Sequence, residues 1–346
     1  MTRREAIELG ITVVLVAIAA ICHYGGVSEV ATFLLSAVAL AALARLVGQG
    51  TEQLGARLGS GSAGVVQSAL GNLPELFISL FALNKGLVEV VQAALVGSVL
   101  ANSVLVLGIA FIAGGLRHGT QRFSSERART ISILALLAAA TMAVPSMTRV
   151  LHTSAAAHEQ TLSLICAGVL LVVFVVTLPI FLKPAAGEEH EPPHWSVSTT
   201  TIVLGAAAVG AAFTSDWFVD ALTPAIHTLH MSEVFAGLVI VAIAGNAVEN
   251  VVGVQLAARN KPDFAISVII SSSLQVALAL TPALVFISLA FSTHLTLVFP
   301  PLLAFVLLIS AVLGALVVND GESTWQEGVI LVGFYSVIAT SFWWGA

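Results

Sequence analysis

Apolar runs of about twenty residues recur along this chain from end to end, and nothing else in it limits the fold so strongly. About 20 residues in a helix cross the ~30 Å hydrocarbon core of a bilayer. Reading the runs between charged or Pro/Gly-rich breaks gives eleven spans, at roughly 6–24, 29–47, 62–84, 88–114, 128–148, 160–182, 197–219, 232–257, 263–291, 294–318 and 326–345. Composition agrees: 58% of the 346 residues are apolar and 9% are charged, where a soluble protein carries about a quarter charged. The expected fold is an all-α polytopic membrane protein. The formal net charge of −6 says little about partners, because most charges fall between the spans.

The N-terminus, MTRREAIELGITVVLVAIAAICHYGG, has two arginines before an apolar stretch, as a signal peptide does. Its apolar run extends from about Ala6 to Tyr24, which is span length and longer than the apolar core of a cleaved signal, so it reads as the first helix. Cys22 and Cys166 are the only cysteines, and both sit inside apolar runs. They form neither a disulfide framework nor a thiolate metal site. The stretch GQGTEQLGARLGSGSAG between spans two and three is Gly-rich and reads as a bent or broken helix entry. KPAAGEEHEPPHW, from Lys183, is polar, acidic and proline-rich, and it splits the chain after span six.

Basic loops stay cytoplasmic. With the N-terminus inside, one side holds Arg3, Arg4, Arg45, Arg57, Arg117, Arg122, Arg127, Arg129, Lys183, Arg259 and Lys261, and the other holds only Lys85 and Arg149. The expected topology has a cytoplasmic N-terminus and a C-terminus on the opposite side, most simply of a plasma (inner) membrane.

Two of the spans carry the same polar insertion, GNLPELF from Gly71 and GNAVENV from Gly245. Glu75 and Glu249 stand 174 residues apart, and the same shift pairs Asn72 with Asn246, Lys85 with Arg259, Glu89 with Asp263, Ser98 with Ser272 and Leu100 with Leu274. The motif spans are the third and the eighth. Five crossings separate them, and an odd number inverts the second copy. The expected plan is one N-terminal helix (1–27), a five-helix repeat (28–183), the linker (184–196) and an inverted five-helix repeat (197–346). Inverted repeats meeting near the midplane, with discontinuous helices beside the site, are the usual build of secondary transporters.

The polar residues fall on helical faces. Ser68, Asn72, Glu75 and Ser79 are spaced four, three and four, which makes one stripe. Asn246 and Glu249 repeat its core. Ser98 and Asn102 form an i, i+4 pair in span four, and Ser272 and Gln275 an i, i+3 pair in span nine. All of these offer oxygen ligands. No Lys, Arg or His lies deep in any span to pair with the glutamates, and an ionised carboxylate there is costly. Each must be protonated or hold a cation, so the two acids read as an exchangeable cation site. Two carboxylates with amide and backbone oxygens suit Ca²⁺, which takes six to eight hard ligands. Na⁺ or K⁺ could use the same oxygens, although two negative charges favour a divalent ion. Soft metals lack Cys or His here. Glu89 and Asp263 read as helix N-terminal acids near the interfaces.

At the segments GNLPELFISLFALNKGLVEVVQAALVGSVLANSVLVLG and GNAVENVVGVQLAARNKPDFAISVIISSSLQVALALTP the chain resembles the Ca²⁺/cation antiporter superfamily, most closely its cation/proton exchanger branch. The resemblance implies Glu75 and Glu249 as ligands of transported Ca²⁺, with Asn72 and Asn246 beside them and Ser98, Asn102, Ser272 and Gln275 in support. Asn250 stands where that family often has His. Leu73-Pro74 is closer to the motif of sodium-linked relatives. The implied activity is Ca²⁺/H⁺ antiport by alternating access. A Na⁺/Ca²⁺ exchanger or Na⁺(K⁺)/H⁺ antiporter of the same superfamily is the alternative. The partners are then Ca²⁺, H⁺ and the lipid bilayer, with no nucleic acid and no resident cofactor.

Other classes fit less well. HEPPH at 190–194 matches the H-E-x-x-H zinc pattern, but that pattern works only on a helix, and Pro192 and Pro193 break one. Channels use acidic rings from identical subunits, whereas here the duplication lies within one chain. An intramembrane enzyme would need a nucleophile or metal triad near the acids, and none is visible.

Overall fold

The computed structural model describes residues 1–58, 70–181 and 193–345. The chain is almost entirely helical. The helices are α1 (Arg3–Tyr24), α2 (Glu29–Leu58), α3 (Leu73–Asn84), α4 (Val88–His118), α5 (Ser125–Val150), α6 (Glu159–Phe181), α7 (Val197–Leu229), α8 (Glu233–Gly245), α9 (Ala247–Ala258), α10 (Pro262–Ala290), α11 (Pro301–Val317) and α12 (Trp325–Trp343). Two-residue strands β1 (Gln121–Arg122) and β2 (Glu322–Ser323) pair antiparallel. Local chemistry sets several of these starts. Thr2 with Glu5, and Thr324 with Glu327, form capping boxes that open α1 and α12.

Packing divides the chain into two compact units, Met1–Lys85 with Thr177–Met231 and Ala244–Val248, and Gly86–Val176 with Ser232–Ile243 and Glu249–Ala346. Each draws on both expected repeats. In the first unit α2 and α7 run antiparallel along their length. Phe33 stacks on Phe218, and Leu43, Leu46 and Val47 pack with Ala207 and Ala211. A Cβ at Gly50 would meet Leu204 at 3.2 Å, and one at Gly210 would meet Leu43 at 3.0 Å. Small residues let such backbones approach closely. Leu73 and Phe77 of α3 lie against the same cluster. Lys85, just past α3, pairs with Asp220 of α7, so α3 and α7 run parallel.

The ends of this unit are polar. At one, Glu8 accepts from Arg45 (3.1 Å) and Gln49 (2.7 Å), and Glu5 accepts from the indole of buried Trp195 (2.9 Å). Gln53 Oε1 accepts from the backbone N–H groups of His194 and Trp195. These bonds hold α2 helical to Leu58, where its glycines predicted a bend; residues 59–64 of that stretch lie outside the described residues. The linker lies outside them too, except for 193–196.

In the second unit α4 crosses α8 at two glycines. A Cβ at Gly97 would overlap Leu238 O, and one at Gly237 would overlap Val90 O. Gly108 of α4 and Gly328 of α12 meet reciprocally in the same way, at 2.8 and 2.5 Å. The ends of this unit alternate as successive crossings require. One end gathers β1–β2, the end of α9 and the start of α10, where Ser124 N donates to Asp263 Oδ1 at 2.6 Å. The other gathers 291–300 with Ser146, Ser163 and Gln92, and Ser232 with the end of α12.

Span ten differs from expectation. The apolar run predicts a helix from 294, but α11 begins only at Pro301. Residues 292–300 run without helix, although Leu295, Leu297, Val298 and Phe299 are buried. Pro300 and Pro301 lack the N–H groups a continuing helix would use. Side chains satisfy the exposed backbone instead. Ser146 Oγ accepts from Phe299 N and donates to Leu297 O, Ser163 Oγ accepts from Leu297 N, and Gln92 donates to the carbonyls of Thr296 and Val298. Buried backbone outside helix is tolerated when its polar groups are paired in this way.

Candidate ion-binding site

The first motif opens a helix. Gly71 and Asn72 form a turn, α3 begins at Leu73, and Pro74 occupies its first turn, where a missing N–H leaves nothing unsatisfied. Glu75 therefore stands in the first turn of a helix rather than in mid-helix. It is 4% exposed, and Asn72 and Ser79 are also buried. Ser68, the fourth member of the predicted stripe, lies outside the described residues.

The second motif breaks a helix. α8 ends at Gly245, α9 starts at Ala247, and the axes of 233–245 and 249–258 differ by 64°. Asn246, in the break, is fully buried and donates its amide N–H to Glu75 Oε1. Gly245 leaves room for that carboxylate, since a Cβ there would overlap Glu75 Cγ and lie 3.1 Å from Oε1. Sequence-distant copies of one motif thus meet within the first unit.

In the second unit Glu249 is half-buried in the first turn of α9. Both glutamates therefore stand at helix N-termini, where the backbone dipole favours an anion. This supplies part of what a basic side chain would. Asn102, fully buried, donates to Ser272 Oγ at 3.0 Å. Ser98 is buried, and Gln275 is half-buried. Glu89 and Asp263 lie in the first turns of α4 and α10, as expected.

Three π-helical stretches were not legible in the sequence: Ala101–Val106 in α4, Ala236–Val241 in α8 and Val276–Leu280 in α10. The first and last are equivalent under the 174-residue shift. Each directly follows or contains the predicted polar residues, Ser98 and Asn102 in one case, Ser272 and Gln275 in the other. A π turn widens the helix and rotates the residues beyond it, and such turns gather at functional sites. The side-chain anchors of 292–300 were also missed, and a glutamine in an apolar run, Gln92, was the available signal for them.

Together these features define a polytopic helical membrane protein with a duplicated acidic motif at helix breaks. The chain belongs to the sodium/calcium exchanger protein family, whose profile matches residues 28–183 and 199–344. It is 36% identical over 324 residues to the Ca²⁺/H⁺ antiporter ChaA of Bacillus subtilis, covering 90% of this chain and 91% of that one. It is 31% identical over 346 residues to the Ca²⁺/H⁺ antiporter of Synechocystis, covering 92% of each. Its fold matches the crystal structure of the Ca²⁺/H⁺ antiporter protein YfkE with a TM-score of 0.85 at 32% identity, covering 98% of this chain and 99% of that one. The family is one of transporters, not of catalysts.

Proposed function

We propose that this chain is a secondary antiporter that moves Ca²⁺ against H⁺ by alternating access. Glu75 and Glu249 hold the ion jointly, Asn72 and Asn246 sit beside them, and Ser98, Asn102, Ser272 and Gln275 support the shell. The chain crosses the membrane eleven times, as one helix plus two inverted five-helix repeats, with the N-terminus cytoplasmic and the C-terminus opposite. The observation that carries this reading is the bond from Asn246, in one motif copy, to the buried Glu75 carboxylate of the other. The names of relatives that match over nine-tenths of the chain support the choice of ions. Protons fall to the two glutamates, because Asn250 cannot titrate.

Flux in proteoliposomes with Ca²⁺, Na⁺, K⁺ and pH gradients set independently tests this. Ca²⁺ uptake should follow an acid-inside gradient and stop when that gradient is dissipated. Uptake that ignores pH and follows a Na⁺ gradient would overturn the counter-ion assignment in favour of the sodium-linked alternative.

A further inference from the structure

Helix α9 carries Glu249 yet has no rigid continuation upstream, because the chain breaks at Asn246 before it. A 12-residue helix is about 18 Å long, and Glu249 lies about 12 Å from its far end. Where that end is fixed therefore decides where the carboxylate stands. The far end is held by a side chain from another loop. Gln121, in β1, is 3% exposed, and its amide spends both N–H groups there: one goes to Ala257 O at 3.0 Å, the other to Asn260 Oδ1 at 2.9 Å. Ala257 O is among the last carbonyls of α9, which the helix itself cannot satisfy. Asn260 turns the chain in the left-handed region (φ +58°), and Lys261 N closes the turn on Leu256 O at 3.0 Å. His118 Nε2 adds a bond to Ala258 O at 3.1 Å. Gly114 is needed for this arrangement, since a Cβ there would overlap Gln121 Oε1. Midway along α9, Gly253 packs so closely on Ile269 of α10 that a Cβ would lie 2.5 Å from its Cγ1.

We propose that Gln121 is a positioning residue for ion binding: it fixes the C-terminal end of α9 and, through that helix, the Glu249 carboxylate. The inference rests on the reading of Glu249 as an ion ligand. Gln121 touches no ion itself. Its neighbour Arg122 faces the other way, is exposed, and pairs with Glu322 across the β-ribbon. Arg122 is therefore an internal control for damage to the ribbon alone.

The test uses the full chain in proteoliposomes, with rates normalised to folded protein. Gln121→Glu keeps the volume but turns an acceptor toward Ala257 O, and Gln121→Leu removes both donors. Supporting groups one step removed from a metal cost about 10- to 100-fold in affinity when lost, so half-saturating Ca²⁺ should rise about tenfold in both, with the maximal rate little changed. Arg122→Gln should leave half-saturation at the wild-type value. If both Gln121 variants fail to fold, exposed His118→Ala carries the test with an expected rise of about two- to threefold. Unchanged half-saturation, or a lower maximal rate alone, would make the anchor merely structural and overturn the proposal. Glu249→Gln separates the two readings. If it is inactive while Gln121 variants bind normally, only the positioning role fails. If it transports normally, the ligand reading falls and takes the positioning role with it.

Discussion

Replacing Gly245 with alanine adds one methyl group at a close contact in the first unit. The new carbon would overlap Glu75 Cγ and stand 3.1 Å from Oε1 and 3.2 Å from Cδ, all closer than van der Waals contact. Glu75 is buried and held by Asn246, so its side chain cannot swing into solvent. Overpacking of this kind costs about 1–3 kcal/mol. A carboxylate pushed off its amide partner forfeits a further 1.5–3 kcal/mol or so. If only the lower figure of each falls on the ion-bound state, about 2.5 kcal/mol is lost, or roughly 60-fold in affinity at 1.4 kcal/mol per decade. Half-saturating Ca²⁺ for pH-driven uptake should therefore rise by one to two orders of magnitude in Gly245→Ala. Gly205→Ala is the matched control, because no atom lies within 4 Å of a Cβ at that position in α7. It should transport as wild type and be slightly more stable, alanine being about 1 kcal/mol the better helix former. A Gly245→Ala protein that binds Ca²⁺ as the control does would refute the claim that this glycine shapes the carboxylate site.

Glu75→Gln and Glu249→Gln keep shape and remove charge, so each should abolish Ca²⁺ flux while size-exclusion profiles stay those of folded protein; near-normal flux in either would remove that glutamate from the site. Protons and Ca²⁺ compete for the same oxygens, and metal binding is strongest where its ligands are deprotonated. Half-saturating Ca²⁺, measured on one face, should thus fall as pH rises and climb as pH drops; a value flat from about pH 6 to pH 8 would argue against shared ligands. Reporter fusions should place the 119–124 loop in the cytoplasm and Ala346 on the far side; both on one side would contradict an odd number of crossings.

Much of this was legible because membranes restrict what a sequence can mean. An apolar run of span length is expected to be helical, since lipid leaves backbone groups no other partner, and among the described residues nine of the expected spans begin within a few residues of a helix. The tenth failed for a local reason. Residues 294–300 continue an apolar run, yet Ser146, Ser163 and Gln92 offer their backbone an alternative to helix. No periodicity within the segment reports on partners more than 130 residues away. The duplicated motif announced its acids, while the meeting of Asn246 with Glu75 depends on tertiary packing that spacing cannot encode. The π turns were invisible for a related reason. ANSVLV and VALAL read as ordinary apolar helix, and only the surrounding packing decides that an extra residue is accommodated there.

Two glutamates in apolar spans that carry no Lys, Arg or His at depth bear directly on coupling. In the proposed site, two carboxylates with one Ca²⁺ carry no net charge, and two carboxylates with two protons carry none either. The empty site carries two negative charges. Placing an ionised side chain at the centre of a membrane helix costs about 2.5–3.5 kcal/mol on insertion scales. Two such charges cost about 5–7 kcal/mol, which suppresses an empty site in transit by roughly 10⁴- to 10⁵-fold. Helix N-termini at Glu75 and Glu249 soften that penalty by about 0.3–1 kcal/mol each, too little to cancel it. A basic side chain in the same place would have cancelled it and let the unloaded protein cycle, dissipating the gradient. On this reasoning the missing base makes the protein an exchanger: the site can cross only when filled, by one divalent ion or by the protons that replace it.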